Sequence, residues 1–287
     1  MRIIQKSLAY VTRKKKRTTI VFLILTAVLS SLYACLSVVN SSINLENSLY
    51  KASNSSFSIV KKDSQGYFSY KDVKNIRNIK EVKESLLEYE GLAKPKNAKA
   101  ISANQQVQRD NLDEDLKNTV AIYSTNNTAK NTLFSSGIFK LKQGRHLEQN
   151  DRGKALIHEA FAQKNNLKIG DRVELNLINT SGKKTETQKT RFEITGIFSG
   201  KKQEKYTGLS SDFSENTIFS DFETTMQALN LSENERLLSK ITLYTETADQ
   251  LDKAITKTEK LNIDWSKYKI EKNNAAFKDT LESIAGI

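Results

Sequence analysis

The hydropathy of the chain is dominated by an apolar run at residues 20–39, in which threonine, serine and tyrosine are the only polar residues. Their hydroxyl groups can bond to the backbone carbonyls of a helix. A helix of this length rises about 30 Å, which matches the hydrocarbon thickness of a bilayer. The pattern therefore predicts a transmembrane helix over residues 18–40.

The charges on either side of this run give it an orientation. Residues 1–17 contain seven Lys or Arg side chains and no acid, and the first charge after the run is Glu46. Cytoplasmic flanks of membrane helices are enriched in Lys and Arg. We therefore expect residues 1–17 in the cytoplasm, and residues 41–287 on the extracytoplasmic side of a cell membrane that the chain crosses once.

The basic flank also carries an apolar stripe. Ile3, Ile4, Leu8 and Val11 fall close to one face of a helix over residues 1–12. This spacing is typical of an amphipathic helix that lies at a membrane surface. A basic tail that only fixes the orientation of the span explains the same residues.

Two kinds of processing signal share features with the apolar run. A cleaved signal peptide has an apolar core of about 7 to 15 residues, which is shorter than the run here. Residues 32–35 resemble a lipoprotein cleavage box, in which Cys35 would become the lipidated terminus. Tyr33 is bulky where that box prefers a small residue, and the apolar run continues beyond Cys35, which favours a cysteine buried in the membrane.

Beyond the span, the first half of the chain has weak patterns. Residues 57–61 predict a short strand, and Ser69 is placed to cap a helix that carries Tyr70, Val73, Ile76 and Ile79. Residues 82–89 fit a helix or a strand equally well. Residues 94–132 are polar, so we expect strands joined by long loops there.

The second half is patterned more clearly. Residues 155–157 predict a strand, followed by a short helix that ends near Asn165 and Asn166. Apolar and polar side chains alternate over 173–177 and again over 192–198, which is typical of a hairpin with one buried face.

Two pairs of residues have the spacing of helix caps in the last third of the chain. They are Ser220 with Glu223 and Thr247 with Gln250. An apolar stripe over residues 277–285 predicts a final helix. Strands mixed with helices in this way indicate an α+β fold for the outer part.

The net positive charge of the chain is divided between residues 1–17 and the rest. There are 45 Lys and Arg against 33 Asp and Glu, a net charge of 45 − 33 = +12, of which +7 falls in residues 1–17. A nucleic-acid-binding protein would carry its positive surplus on the folded part, so we expect no nucleic-acid partner. The single Cys35 excludes an intrachain disulfide and a cysteine-based zinc site.

The sequence lacks the motifs of zinc proteases, phosphate-binding loops and G-x-S-x-G hydrolases. His146 and His158 are the only histidines, and His158-Glu159 lacks the second histidine of a zinc-protease helix. A phosphate-binding glycine loop and a G-x-S-x-G elbow are absent from the sequence. We therefore predict no catalytic, cofactor-binding or metal-binding residue, and no cofactor.

Residues 137–199 carry a recognisable series of motifs. A Gly-Arg turn at Gly144 and Arg145 is followed by an apolar strand and a helix of the form E-A-x-A-x-x-N-x-L. The turn K-I-G-D, a strand and the pattern F-x-I-x-G-I-F complete the block. It resembles the extracytoplasmic core domain of MacB/FtsX-type ABC transporter permeases, and its lysine-rich style is similar to Gram-positive Vex-type permeases.

Physical reasons account for four positions in this block. Gly144 and Gly170 suit turns that would strain a residue with a Cβ atom. Asp171 can cap its own turn, and Gly196 allows a second backbone to approach the strand. All four roles are structural.

The resemblance implies the fold and the function. The fold would be a MacB-like periplasmic core domain of mixed α/β structure behind one N-terminal transmembrane helix. The chain would be a permease subunit that couples a cytoplasmic ABC ATPase to the outer domain, for export or mechanotransmission. Its partners would be that ATPase, a further permease subunit or a second copy of itself, and the lipid bilayer. ATP hydrolysis would reside in the ATPase, so the chain itself would not be an enzyme.

The resemblance also suggests an internal division of residues 41–287. We expect a core of about 54–200 plus 240–275, a polar insertion at about 201–238, and a last helix that leads toward a second span. Because such permeases have further membrane helices, we expect a truncated or split permease. The alternative is a single-pass envelope protein that acts as an adhesin, sensor or scaffold without transport.

Overall fold

A computed structural model describes residues 16–33, 56–63, 66–102, 118–179, 185–187, 189–204 and 207–273. The chain divides into two compact units, Met1–Asn54 and Ser55–Ile287.

The first unit contains the apolar helix α1, Lys16–Tyr33. Among the described residues it is the one helix that is long and apolar enough to cross a membrane, and none of it is buried. Within α1, Thr26 Oγ1 donates a hydrogen bond to the carbonyl oxygen of Phe22 at 2.8 Å. This is the hydroxyl-to-backbone bond expected for a polar side chain in an apolar run. Residues 34–40 of the expected span lie outside the described residues.

The second unit is a mixed α/β domain, as predicted. Its strands are β1 Ser56–Lys61, β2 Phe68–Ser69, β3 Glu84–Pro95, β4 Val120–Thr125, β5 Phe139–Gly144, β6 Lys154–His158, β7 Arg172–Asn179, β8 Thr185–Glu186, β9 Thr190–Gly200, β10 Thr217–Asp221, β11 Leu237–Leu238, β12 Lys240–Tyr244 and β13 Tyr268–Lys272. Its α-helices are α2 Tyr70–Val73, α3 Thr132–Ser135, α4 Glu159–Lys164, α5 Phe222–Ala228 and α6 Ala248–Glu259, and 3₁₀ turns cover Lys74–Asn78, Ser210–Asp212, Ser214–Asn216 and Glu233–Glu235.

Eleven of these strands form one sheet in which part of the sheet closes on itself. The main path runs β13-β1-β12-β3-β4-β10-β6-β9-β7-β8, and β5 pairs with β9 beside it. Strand β3 is long enough to pair with β12 near its start and with both β4 and β7 near its end. The strands β3, β4, β10, β6, β9 and β7 therefore complete a ring, which removes the open edges that a flat sheet of these six strands would have.

Two clusters of buried side chains stabilise the domain. The larger includes Phe57, Ile122, Phe161, Val173 and Phe192. The smaller contains four phenylalanines with two leucines, namely Phe134, Phe139, Phe198, Phe219, Leu147 and Leu156. Burial of this apolar surface is the main favourable contribution to folding.

The alternation of apolar and polar residues over 173–177 and 192–198 predicted strands β7 and β9 correctly. β7 and β9 pair antiparallel, from Arg172 opposite Glu193 to Leu175 opposite Thr190, which confirms the predicted hairpin. The Ser69 cap is also confirmed, because its side chain accepts a bond from the N–H of Lys71. The helix that it begins is short, since the chain tightens into a 3₁₀ turn after Val73.

One expectation was wrong. The cap of α5 is Asp221, whose side chain accepts from the N–H of Thr224, and not Ser220. Ser220 lies at 0% exposure in β10, with its hydroxyl 2.9 Å from that of Thr225. β10, which falls within the polar insertion expected at about 201–238, lies between β4 and β6 inside the ring. The expected division of the outer part into a core and an insertion stays a prediction.

The second predicted cap is confirmed. The Thr247 side chain accepts a bond from the N–H of Gln250 at the start of α6. The expected helices over residues 1–12 and 277–285 lie outside the described residues and stay predictions.

Candidate functional site

Both histidines have structural roles. The Nδ1 of His158 accepts from the N–H of Ala160 at 3.1 Å, so the proton sits on Nε2, which lies 3.1 Å from the carbonyl oxygen of Gly200. His146 Nδ1 lies 3.0 Å from Thr128 Oγ1, and burial lowers the pKa of His146. Within the described residues, no three His, Cys, Asp or Glu side chains are placed to hold a metal ion.

The Gly-Arg turn of the recognisable block ends β5 and lies against β9. Gly144 has a φ of +77°, and a Cβ atom there would lie 2.0 Å from the carbonyl oxygen of Thr195. The N–H of Arg145 donates to that same oxygen at 3.0 Å. The Arg145 guanidinium then makes two hydrogen bonds to Asp151, at 2.6 and 2.7 Å. Glycine is required here both by its φ and by the closeness of the neighbouring strand.

The other three structural roles assigned to this block agree with the geometry. Gly170 has a φ of +90°, and Asp171 caps the turn by accepting from the N–H of Lys168 at 2.9 Å. A Cβ atom on Gly196 would lie 2.7 Å from the carbonyl oxygen of Arg145. The motifs thus fix the backbone around β5, α4 and β9.

A small polar cleft lies near this block, and we call it the arginine cleft after Arg77, Arg152 and Arg236. Its volume is ≈ 110 Å³. Its remaining walls are Ser85, Leu87, Asn126, Glu148, Gln149, Asn150, Asp151, Asp221, Phe222 and Glu223.

The three arginines of the cleft are held differently. Arg236 forms an ion pair with Glu223, whereas Arg77 donates to the hydroxyl of Tyr70 at 2.9 Å. Arg152 donates to the carbonyl oxygens of Gln149 and Asp151. Among the described residues, Arg77 and Arg152 therefore have no carboxylate in an ion pair with them.

The two aspartates of the cleft differ in the direction of their pKa shifts. Hydrogen bonds from Arg145 lower the pKa of Asp151. Burial raises the pKa of Asp221, which accepts from the N–H of Thr224 at 2.8 Å and of Lys154 at 3.0 Å. The arginines and aspartates of the cleft thus have hydrogen-bond partners in the cleft or next to it, which suits fixing the loops.

A larger and more open cleft, of ≈ 750 Å³, lies beside β1 and β13. Tyr67 closes one side, with its ring stacked 4.9 Å from that of Tyr89 and its hydroxyl donating to the carbonyl oxygen of Glu90 at 2.7 Å. The charged side chains that line it are of both signs, namely Lys61, Lys240, Lys269, Glu90 and Glu271. Because these charges are mixed, the cleft does not offer a uniformly positive or negative site for a charged ligand.

A buried carboxylate on β3 was missed by sequence reasoning. Glu88 is 5% exposed, with one oxygen accepting from Asn131 at 2.7 Å and the other 3.0 Å from the Lys240 ammonium. Burial raises the pKa of Glu88, and Lys240 opposes that shift. The available signal was the acid within the apolar run at residues 86–89. Because Glu88 and Lys240 lie opposite each other on β3 and β12, we assign the pair to strand register.

In sequence, residues 18–261 match the family model of the MacB-like periplasmic core domain. No curated protein matches the chain in sequence.

Two solved structures are similar to the chain. The periplasmic region of MacB from Actinobacillus actinomycetemcomitans is 13% identical, with 82% of this chain and 95% of that one covered, at a TM-score of 0.45. The extracellular domain of the noncanonic ABC-type transporter YknZ from Gram-positive bacteria is also 13% identical, with 69% of this chain and 88% of that one covered, at a TM-score of 0.37.

Proposed function

The chain belongs to the family of MacB-like periplasmic core domains, and from this premise we propose that it is a permease subunit of an ABC transporter. In this proposal a cytoplasmic ATPase hydrolyses ATP, and α1 anchors the outer domain to the membrane in which the ATPase acts. The observation that carries the proposal is the family match over residues 18–261, which takes in most of α1 as well as the outer domain.

The proposed role of the outer domain is mechanical and not chemical. A ring of six strands bonded edge to edge around an apolar core is a stiff body, and stiffness suits an element that transmits motion for export or for control of an envelope partner. The arginine cleft fits the same role. The N–H of Gly153, just before β6, donates to Thr224 Oγ1 of α5 at 2.8 Å, and the ion pair of Arg236 with Glu223 joins α5 to the segment before β11.

Orientation can be tested by labelling. In a Cys35→Ser background, a cysteine introduced by Ala129→Cys lies at an exposed position of the outer domain. A membrane-impermeant maleimide added to intact cells should label it, because the domain is proposed to be extracytoplasmic. A matched Ser7→Cys variant should be labelled only after permeabilisation. The reverse pattern would contradict the proposed topology.

The ATPase partnership needs a separate experiment. The tagged full chain, co-expressed with its neighbouring genes and purified in detergent, should recover an ABC ATPase. The double variant Ile4→Glu and Leu8→Glu should reduce that recovery, because it removes the apolar stripe expected near the ATPase, while Lys253→Glu on exposed α6 should not. Recovery of the chain without any ATPase would instead favour a single-pass envelope protein that acts as an adhesin, sensor or scaffold.

A further inference from the structure

Strand β5 lies at an open edge of the sheet. It pairs with β9, from Phe139 opposite Gly200 to Gly144 opposite Gly196, and no other strand of the described part pairs with it. One side of β5 therefore presents backbone N–H and C=O groups that an added strand could bond.

Exposed apolar side chains lie at both ends of this edge. Among the described residues of the outer domain, the large apolar side chains classed as exposed are Ile138, at 42%, and Ile169, at 39%. Ile138 directly precedes β5, and Ile169 Cδ1 lies 3.0 Å from the point where a Cβ atom on Gly144 would sit. A strand of six residues spans roughly 20 Å, so the two isoleucines could contact the two ends of one extended segment.

A groove runs between this edge and helix α4. Its volume is ≈ 440 Å³, and Ala162, Leu167 and Ile197 contribute its apolar surface. Its polar lining is Lys142, Gln143, Glu159, Gln163, Asn166 and Lys168. A strand edge next to a helix, with apolar surface between them, is the geometry in which extended peptides add to a sheet.

The charge around the β5 edge indicates which kind of added strand it would bind. Lys140, Lys142 and Lys168 are exposed, and none of them forms an ion pair with a described carboxylate. β5 has a bulge between Leu141 and Gln143. A second copy pairing antiparallel along β5 would bring Lys140 and Lys142 of the two chains close together, and like charges across a strand pair are destabilising. The positive edge instead complements an acidic segment.

We propose that β5 and the groove beside α4 bind an extended segment of a partner protein, in which apolar and acidic residues alternate. The segment adds as a strand along β5, places apolar side chains against Ile138, Ile169 and the groove, and pairs its carboxylates with the edge lysines. This binding does not require the ATPase partnership, so either proposal can fail without the other.

The probe for this proposal is a fluorescein-labelled peptide of seven alternating valine and glutamate residues, added to the full chain in detergent. We expect binding that weakens at least about tenfold in the double variant Lys140→Glu and Lys142→Glu, as expected when attractive ion pairs become repulsive. The matched variant Lys253→Glu with Lys260→Glu changes the same net charge on a distant exposed surface and should alter affinity less than about twofold.

Two further peptides test the backbone and charge components separately. Methylation of alternate backbone nitrogens on the peptide edge that faces β5 should abolish binding, because it removes the N–H donors of an added strand. Replacement of glutamate by lysine should also abolish it. Failure of the valine-glutamate peptide to bind, or equal affinity for the Lys140→Glu and Lys142→Glu double variant, would overturn the proposal. So would concentration-dependent dimerisation of the chain that this double variant abolishes, since that would assign β5 to a second copy.

Discussion

Strands β10 and β5 both mix apolar and polar residues, yet they lie in opposite environments. β10, with the sequence TIFSD, has three polar residues out of five, yet all five are buried between a parallel β4 and an antiparallel β6. β5, with the sequence FKLKQG, alternates apolar and polar residues at its start, yet Phe139 is its one buried residue and its single partner is β9. Of the two, the strand whose polar side chains are short lies at the centre of the ring, and the strand with two lysines lies at an edge.

The difference lies in the hydrogen bonds available to the polar groups. In β10 the Ser220 hydroxyl lies 2.9 Å from that of Thr225, and Asp221 caps α5, so their burial costs little. The lysines of β5 meet water, and charged side chains of this kind discourage unwanted pairing at a strand edge. Short polar side chains such as those of Ser220 and Asp221 can therefore lie at the centre of the ring where local partners are available.

The largest contrast should appear when an apolar side chain is removed from each strand. Phe219→Ala in β10 should lower the free energy of unfolding by about 3–5 kcal/mol, because its ring is fully buried among other phenylalanines. Leu141→Ala on β5 should cost only about 1 kcal/mol, since Leu141 is half-buried. Denaturant unfolding of the full chain in detergent measures both, and equal losses would contradict the assignment of β5 to an edge.

A pair of glycines tests the contact between β5 and β9. Gly137 and Gly144 have φ values of +75° and +77°, but a Cβ atom meets nothing within 4 Å at Gly137 and lies 2.0 Å from Thr195 O at Gly144. Gly137→Ala should cost about 1–2 kcal/mol, from backbone strain alone. Gly144→Ala should cost about 1–3 kcal/mol more, because the strands must separate. The difference between the two unfolding free energies measures the close approach, and a difference near zero would contradict it.

The smallest expected effect concerns the turn after β5. Asp151→Asn should lower the unfolding free energy at pH 7 by about 1 kcal/mol, because it removes a partly exposed pair with two charge-assisted bonds. The pKa of Asp151 is lowered in the folded chain, so its contribution is present above the unfolded pKa and disappears as pH falls through the folded one. The variant and the natural chain should therefore converge in acid.

Glu88→Gln is the control, because its stability relative to the natural chain should change with pH in the opposite direction. Burial raises the pKa of Glu88, so ionisation of this group weakens folding as pH rises through the raised value. The stability of Glu88→Gln relative to the natural chain should therefore increase with pH. If Asp151→Asn and Glu88→Gln shift in the same direction across a pH series, the assigned electrostatics are wrong.

The sequence was informative where one physical rule decided the outcome. Alternation over Val173, Leu175 and Leu177 predicted β7, and the close approach at Gly196 followed from its lack of a side chain. Sequence reasoning failed where two neighbouring residues could both cap a helix, as at the start of α5. The burial of Glu88 and the meeting of three arginines from separate segments in the arginine cleft depend on long-range pairing, which local patterns do not encode.

Hydrogen exchange of the full chain in detergent tests the contrast between the closed ring and its open edge most directly. The account predicts that amides of β5 exchange on the order of tenfold or more faster than those of β10, and that the valine-glutamate peptide slows exchange in β5 and leaves β10 unchanged. Equal protection of β5 and β10 in the free chain, or no added protection of β5 with the peptide, would contradict it.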